Sequence, residues 1–275
     1  MRKYSKDSAN MLELLQQVFQ QVRGYIHSDS FSRQEIFSNS SKHTTMQFDR
    51  EAEDIIISGL IESGHGFEVI TEERPSFTTS QNPHYRIVID PVDGSTNTQR
   101  GIMTASVALA VLSIDVPVTP QNVQWALVGE LFSGTVYEAS RGGGAFCNGK
   151  RCQVSETKHL DDCLLGINLD GRDRDALRRL LLDSPPPASI RRTGSSAIDI
   201  VYVANGAYDG YVDVGGVISA ESFLASTSIV LEASGIVSDS EGKPLRPVQD
   251  LKEGYSLVVA GTKSLHGEIL SRLKA

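Results

Sequence analysis

"IDPVDGSTN", residues 89–97, ends a hydrophobic run with two aspartates three positions apart, followed by a glycine and two hydroxyl side chains. Two carboxylates held close together raise each other's pKa unless a cation lies between them. Pro91 fixes the backbone direction so that Asp90, Asp93 and the carbonyl of Val92 converge. An all-oxygen donor set suits a hard divalent ion such as Mg²⁺ better than zinc. The stretch therefore predicts a magnesium site at the end of a β-strand.

Three small residues, Gly94, Ser95 and Thr96, follow the second aspartate. They are typical of a tight turn or of the first turn of a helix, where backbone N–H groups are free to receive a phosphate. A metal site next to an anion-binding turn indicates phosphate chemistry.

A second acidic pair, Glu72 and Glu73, ends the β-rich run "FEVIT" at 67–71. If this run and "YRIVID" are neighbours in one sheet, Glu72 and Asp90 leave the sheet at the same edge and can share the metal. Acidic pairs at strand ends are also typical of a solvated rim, and Asp-Pro and Asp-Gly turns are common. Each motif alone favours that structural interpretation, and the two together favour the metal site.

Composition limits the partners and the compartment. The chain has 275 residues, 40% of them hydrophobic, which is enough for one large domain or two moderate ones. Its net charge of -8 disfavours nucleic acid or an anionic membrane as the main partner and favours a small molecule. No apolar signal core or long apolar run is present, which predicts a soluble, cytoplasmic protein. The three cysteines lack a CxxC pair and are interpreted as reduced structural thiols.

Periodicity predicts a mixed α/β or α+β chain. Apolar spacings of three and four predict an amphipathic helix over 8–27, and after a polar loop at 28–45 a second helix with Asp49 in its first turns. The β-rich runs between 67 and 140 predict a sheet covered by helices on one face. The segment "GGGAFCNGK" is interpreted as a hairpin tip, and strands alternate with helices from residue 163 onward. Two sheet-bearing halves are expected, meeting near 145–160.

The segments "VITEE" and "VIDPVDGSTN" resemble the metal-binding signature of the inositol monophosphatase family. These are Mg²⁺-dependent, lithium-sensitive phosphatases that also include fructose-1,6-bisphosphatases and bisphosphate nucleotidases. "VYEASRGGGAFCNGKR" and "RRTGSSAIDIVYVANGAYDGYVDV" are similar to further family segments, so the resemblance covers nearly the whole chain. It implies a layered αβαβα sandwich, usually a homodimer, with residues 1–150 as the metal- and phosphate-binding half and 151–275 as the substrate-side half.

The resemblance also implies roles for single residues. Glu72 and Asp90, with the carbonyl of Val92, would bind a first metal, and Asp90 and Asp93 a second. Ser95, at a position where the family more often has threonine, would orient and deprotonate the attacking water together with Asp49. Glu72 counts among the catalytic residues as well.

Substrate contacts follow from the same resemblance. The amides of Gly94, Ser95 and Thr96 would hold the phosphoryl oxygens. Asp213 matches an acidic position that contacts substrate hydroxyls, although a surface acid at a strand end is an open alternative. Arg191, followed by Arg192, could pair with a second phosphate, or the two could simply form a solvated edge.

The sequence departs from the family at its second signature. The family has a Trp-Asp pair opening a helix that runs on to Glu-Ala-Gly-Gly, whereas ten positions before Glu232 this chain has Ser222, preceded by Glu221. Three interpretations stay open. Glu221 reaches into the site as a metal ligand, or Ser222 holds the metal weakly through its hydroxyl or a water. Otherwise the site is impaired and the chain is a metal- or sugar-phosphate-binding protein. The substrate stays open among inositol monophosphate, fructose 1,6-bisphosphate and 3′-phosphoadenosine 5′-phosphate.

Overall fold

The computed structural model describes residues 6–33, 35–36 and 45–274. The helices are α1 (Lys6–Ile26), α2 (Gln47–Glu62), α3 (Ser95–Arg100), α4 (Arg174–Leu182), α5 (Ser196–Ala204), α6 (Ala220–Glu232) and α7 (Lys263–Lys274). The strands are β1 (Glu35–Ile36), β2 (Thr45–Met46), β3 (Phe67–Thr71), β4 (Phe77–Thr78), β5 (Tyr85–Asp93), β6 (Ser106–Ser113), β7 (Trp125–Glu130), β8 (Val136–Ser140), β9 (Gly144–Cys147), β10 (Lys150–Arg151), β11 (Leu164–Ile167), β12 (Ser189–Arg191), β13 (Gly210–Ile218), β14 (Ile236–Ser238) and β15 (Tyr255–Ala260).

The two helices predicted before residue 62 are confirmed as α1 and α2. Half of the predicted polar loop at 28–45 lies outside the described residues; the described half comprises 28–33 and the short pairing of β1 with β2. Among the described helices, none combines the length and apolar character needed to cross a membrane.

The first sheet has eight strands in the order β10-β9-β8-β7-β6-β5-β3-β4. β3 and β5 are parallel neighbours, with Thr71 opposite Ile89. The predicted pairing of "FEVIT" with "YRIVID" is therefore confirmed. The residues that follow Thr71 and Ile89 along the chain are Glu72 and Asp90. Both carboxylates therefore lie at the same end of the paired strands.

Helices cover both faces of this sheet, so the expectation of helices on one face is wrong. α1 and α2 pack on one face through residues such as Phe19 and Phe48, whereas α5 and α6 pack on the other through Ile200 and Phe223. The physical reason lies in strands such as β6, in which seven consecutive residues are buried. A strand without a polar face has to be covered on both sides.

The second sheet has five strands in the order β12-β11-β13-β15-β14. One hydrophobic cluster joins Val128 of the first sheet to Phe223 of α6 and Leu257 of the second sheet, so α5 and α6 lie between the sheets. α4 and α7 cover the outer face through Leu180 and Ile269. The layers therefore run α, β, α, β, α, which confirms the predicted sandwich.

The long strands of the first sheet come from residues 67–151 and those of the second from 164–260. The functional division of the chain at residue 150 stays a prediction. The hairpin expected at "GGGAFCNGK" is present as β9 and β10. Its connection to α6 is made by Glu232, whose two carboxylate oxygens each accept a 2.9 Å hydrogen bond, from the backbone N–H groups of Gly142 and Gly144. This contact fixes the end of α6 opposite to Glu221 and Ser222.

Candidate active site

The two predicted aspartates of β5 lie at a break in the strand register. Asp90 is opposite Ala108 and Asp93 is opposite Ser106, so two residues of β5 face one residue of β6. In a regular strand, residues three positions apart point to opposite faces. The extra residue of the bulge corrects this phase and brings both carboxylates to one side, where they are 3% and 8% exposed. The three-residue spacing in the sequence is therefore explained by the bulge.

Gly94 continues the bulge into α3. Its φ of 104° lies in the left-handed region, and a Cβ placed there would lie 3.1 Å from the carbonyl oxygen of Thr104. Only glycine fits both conditions, which explains its place between Asp93 and Ser95. Thr96, the third residue of the predicted anion-binding turn, is exposed in the first turn of α3.

Asp49 and Ser95, 46 positions apart in sequence, are in direct contact. The Ser95 hydroxyl lies 2.9 Å from Asp49 Oδ1 and 2.9 Å from the Val92 carbonyl oxygen, and its single hydrogen serves one acceptor at a time. Burial, with a smaller contribution from the charges of Glu73 and Glu72, raises the pKa of Asp49 to about 8 against the opposing hydrogen bond from Ser95. The pair is a hydroxyl with a proton acceptor behind it.

The turn that carries Glu72 is attached to α2 by contacts that the sequence did not reveal. Thr71 Oγ1 donates a 2.6 Å hydrogen bond to Glu53 Oε1, and Arg74 forms ion pairs with Glu53 and, at 2.6 Å, with Asp54. Glu53 is completely buried, whereas Glu72 itself is exposed. A signal for Glu53 was present: it lies four residues after Asp49, and therefore on the same face of α2.

Asp93 is held by the N-terminal region of α5. Its Oδ2 accepts hydrogen bonds from the Ser195 hydroxyl and, at 2.7 Å, from the backbone N–H of Ala197. Burial raises the pKa of Asp93 to about 6, and these two hydrogen bonds oppose the increase. The sequence pattern indicated a family-like segment here but gave no role to Ser195.

The N-terminus of α6 brings Glu221 and Ser222 to the same place. Ser222 Oγ donates a 3.1 Å hydrogen bond to Asp90 Oδ2. Glu221 is 4% exposed, its Oε1 accepts from Ser219, and its buried Oε2 has no hydrogen-bond partner among the described residues. Burial raises the pKa of Glu221 to about 7, helped by the nearby charges of Glu72 and Asp93.

Asp90 lies at the centre of this acidic group. Burial raises its pKa well above the ordinary value, and the charges of Asp93, Glu72 and Glu221 raise it further. Within the described ranges, no lysine or arginine forms an ion pair with Asp90, Asp93 or Glu221. Buried carboxylates without a basic partner are costly as anions unless they bind a cation.

The chemistry of this donor set fits Mg²⁺. All of the candidate metal ligands are oxygens. The buried Glu221 Oε2 has no hydrogen-bond partner among the described residues, and a bound cation would satisfy it. Nevertheless, the part of the chain that the structure describes contains no three His, Cys, Asp or Glu side chains already grouped closely enough to hold an ion. The carboxylates are therefore neighbours rather than a preassembled cage.

Asp213 is fully buried, so the alternative of a surface acid at a strand end is wrong. Its two carboxylate oxygens each accept a 2.7 Å hydrogen bond from Arg172, and the Tyr211 hydroxyl lies 3.4 Å from Oδ2. Burial raises the pKa of Asp213, and Arg172 opposes that increase. A substrate hydroxyl at Asp213 would have to share oxygens already bonded to a guanidinium.

The two adjacent arginines differ in their contacts. Arg191 is exposed and its Nη1 donates to the neighbouring carbonyl of Ile190 at 2.9 Å. Arg192 forms an ion pair with Asp170. Arg191 is thus the less engaged of the two, and its pairing with a second phosphate stays a prediction.

Comparison with known proteins agrees with this fold. The sequence matches the inositol monophosphatase family over residues 5–275. It is 31% identical to an inositol-1-monophosphatase of Mesorhizobium japonicum, with 83% of this chain and 82% of that protein covered. It is 30% identical to a fructose-1,6-bisphosphatase/inositol-1-monophosphatase of Methanothermobacter thermautotrophicus, with coverages of 84% and 83%. The crystal structure of the extragenic suppressor protein suhB from Bartonella henselae superposes with a TM-score of 0.80 at 26% identity, covering 97% of this chain and 99% of that one.

The family match and the relatives named as inositol-1-monophosphatase and fructose-1,6-bisphosphatase/inositol-1-monophosphatase place the chain in the class of phosphoric monoester hydrolases. Within that class, the chain belongs to the inositol monophosphatase family.

Proposed function

We propose that this protein is a Mg²⁺-dependent phosphatase that hydrolyses phosphomonoesters of a cyclic polyol or a sugar, inositol monophosphate or fructose 1,6-bisphosphate. The observation that carries the proposal is the Ser95–Asp49 hydrogen bond of 2.9 Å beside the buried acidic group around Asp90. A hydroxyl backed by a proton acceptor, next to oxygen donors for a cation, suits activation of a water molecule. The names of the two relatives described above support the two substrates.

Glu72, Asp90, Asp93, Glu221 and the carbonyl of Val92 would hold the metal. When bound, Mg²⁺ would lower the pKa of a coordinated water below that of bulk water and would offset the charge of the phosphate.

Ser95 and Asp49 would carry the proton of the attacking water. The Ser95 Oγ accepts that proton while its own hydrogen passes to Asp49 Oδ1. The water oxygen forms a bond to phosphorus as the ester P–O bond breaks, and the leaving alkoxide takes a proton from solvent. In its ionised form, a carboxylate whose pKa is raised to about 8 is a stronger base than an ordinary aspartate.

Substrate binding would use the N–H groups of Gly94, Ser95 and Thr96 for the phosphoryl oxygens and Arg191 for a second phosphate. Asp213 would contact a substrate hydroxyl, sharing the carboxylate oxygens that its ion pair with Arg172 already uses. A homodimer in the cytoplasm is part of the proposal, and light scattering of the purified chain tests the dimer.

The decisive experiment measures phosphate release from inositol 1-phosphate, fructose 1,6-bisphosphate and 3′-phosphoadenosine 5′-phosphate during a Mg²⁺ titration. Turnover that saturates with Mg²⁺ is expected for at least one of the first two substrates, and Asp49→Asn should abolish most of it. A folded protein that releases no phosphate at any Mg²⁺ concentration contradicts the proposal.

One observation favours a second candidate, a metal- or sugar-phosphate-binding protein with little turnover. Where the family has an aspartate, Ser222 supplies a neutral hydroxyl that is bonded to Asp90. Losing one carboxylate weakens a site for a hard cation. This candidate predicts that calorimetry detects Mg²⁺ and substrate binding without phosphate release, and that Ser222→Asp creates turnover.

A further inference from the structure

The hydrogen bonds that Asp93 accepts from the described residues all reach one of its two oxygens. Both the Ser195 hydroxyl and the Ala197 N–H donate to Oδ2. The described residues give Oδ1 no hydrogen bond. Protein donors therefore fix Oδ2 of the carboxylate, and Oδ1 is available to a different ligand.

Ser195 is itself held in a buried arrangement. It is 0% exposed, it forms the N-cap of α5, and its Oγ accepts from the Ile198 N–H at 3.4 Å. The Ser106 hydroxyl of β6 lies 3.1 Å from it. Because the single hydrogen of Ser195 goes to the Asp93 carboxylate, Ser106 is the donor between the two serines. A directed chain therefore runs from Ser106 through Ser195 to Asp93.

This chain joins the two sides of the sandwich. Asp93 and Ser106 belong to the first sheet, whereas Ser195 caps the N-terminus of α5, the helix between the sheets that contains Ala197. Donors fixed by burial restrict the rotation of a carboxylate, and second-layer hydrogen bonds of this kind orient metal ligands.

We propose that Ser195 is a positioning residue that fixes the Asp93 carboxylate with Oδ1 available to a divalent cation. This inference rests on the proposed Mg²⁺ site. Ser195 does not touch the ion or the substrate in this account. Its effect is on the affinity of the site for the metal, through the orientation of Asp93.

The test compares Mg²⁺ binding by calorimetry to the full-length wild type and to Ser195→Ala, alongside the thermal stability of both metal-free proteins. Ser195→Ala should bind Mg²⁺ about 10-fold more weakly. Ser195→Thr keeps the hydroxyl and should restore most of the affinity. The matched control is Ser226→Ala, because Ser226 is also 0% exposed but donates to a backbone carbonyl, that of Phe223, at 2.9 Å. The control should lose stability and keep wild-type affinity.

If Ser195→Ala and Ser226→Ala lose stability equally and both bind Mg²⁺ like the wild type, Ser195 is only structural and the inference is overturned. If Ser195→Ala does not fold, Ser106→Ala decides: a weaker affinity in the same direction supports the chain of hydrogen bonds, and an unchanged affinity overturns it. A wild-type protein that does not bind Mg²⁺ overturns the proposed function, and this inference with it.

Discussion

The Ser222 hydroxyl donates a 3.1 Å hydrogen bond to Asp90 Oδ2, so a neutral donor lies at the position where the resemblance to the family implies a carboxylate. One residue earlier, Glu221 is buried and has one oxygen without a hydrogen bond from the described residues. The acidic group therefore has a carboxylate from α6 after all, supplied from the first turn by a longer side chain. This arrangement makes the contributions of the two neighbours separable by mutation.

Glu221→Gln should raise the Mg²⁺ concentration for half-maximal phosphate release about 10-fold, because the variant keeps the shape of the side chain and removes its charge. Ser222→Ala is the matched comparison, since it removes only the hydrogen bond to Asp90, and a smaller increase is expected. The measurement is phosphate release as a function of Mg²⁺ concentration. Calorimetry of Mg²⁺ binding to the same variants provides a second measurement. A larger effect for Ser222→Ala than for Glu221→Gln would show that the hydroxyl, not the carboxylate, is the metal ligand.

Ser222→Asp introduces the acidic residue that the resemblance to the family implies at this position. With Glu221 already present, the change adds a carboxyl beside Asp90 and should tighten Mg²⁺ binding at pH 8, which is above the pKa values of about 6 for Asp93 and about 7 for Glu221. Turnover that appears only in this variant would establish the binding-protein alternative for the wild type. Turnover and Mg²⁺ affinity that both stay unchanged would contradict the placement of a second metal at Asp90 and Asp93.

Ser95→Ala should lower kcat by a factor of about 10² to 10⁴, the range for loss of positioned proton transfer. The hydroxyl is the only group of that side chain that contacts Asp49 and Val92. Ser95→Thr keeps the hydroxyl and should retain most of the activity. Single-turnover measurements separate kcat from substrate binding. Equal losses in the alanine and threonine variants would argue for a steric role instead of a chemical one.

The stability of the metal-free protein should fall as pH rises from about 4 to about 8. Asp93, Glu221 and Asp49 have folded-state pKa values raised to about 6, 7 and 8 by burial, above the unfolded values of 3.8 to 4.5. Over this interval the folded state binds more protons than the unfolded state, so each added unit of pH costs stability. The stabilising contribution is complete below the unfolded pKa and is lost as pH passes the folded pKa.

Saturating Mg²⁺ should remove most of that slope, because the cation binds the ionised carboxylates and competes with protons. The measurement is the melting temperature against pH with and without Mg²⁺. Comparing the two curves cancels the contribution of distant groups such as His266, whose pKa burial lowers. Parallel curves would show that the metal does not bind at the buried carboxylates.

Whether a contact of the site could be predicted from the sequence depends on how far apart its two residues lie along the chain. Glu72 and Asp90 were predicted together because each directly follows a short hydrophobic run, and parallel strands place such ends at one edge. The Asp49–Ser95 contact was implied by family resemblance alone, since it joins residues 46 positions apart.

Contacts made by packing were missed for the same reason. Ser195 donates a hydrogen bond to Asp93, which lies 102 positions away in the sequence, and no local sequence pattern predicts that contact. Arg172 was not singled out either, and Asp213 was assigned without its partner. The first sheet was expected to have helices on one face only. In the structure, consecutive residues of β6 are buried on both faces of the sheet, so helices cover both faces.

The Arg172–Asp213 pair gives a prediction about stability. Arg172 is 8% exposed and Asp213 0%, so Arg172→Met leaves a buried carboxylate without its partner. Such a loss costs about 3–5 kcal/mol, measured as the free energy of unfolding in urea. The loss should be larger at pH 8 than at pH 5, because without the guanidinium the pKa of Asp213 rises further and the carboxyl is more easily protonated at low pH.

Two comparisons make this prediction specific. The double variant Arg172→Met with Asp213→Leu removes the uncompensated charge and should be more stable than Arg172→Met alone. Arg178→Met breaks an ion pair with Asp183 in which the side chains are 58% and 44% exposed, and it should cost under about 1 kcal/mol. If Arg172→Met and Arg178→Met cost the same and show no pH dependence, the Asp213 carboxylate is solvated in the protein, and its availability to a substrate hydroxyl follows.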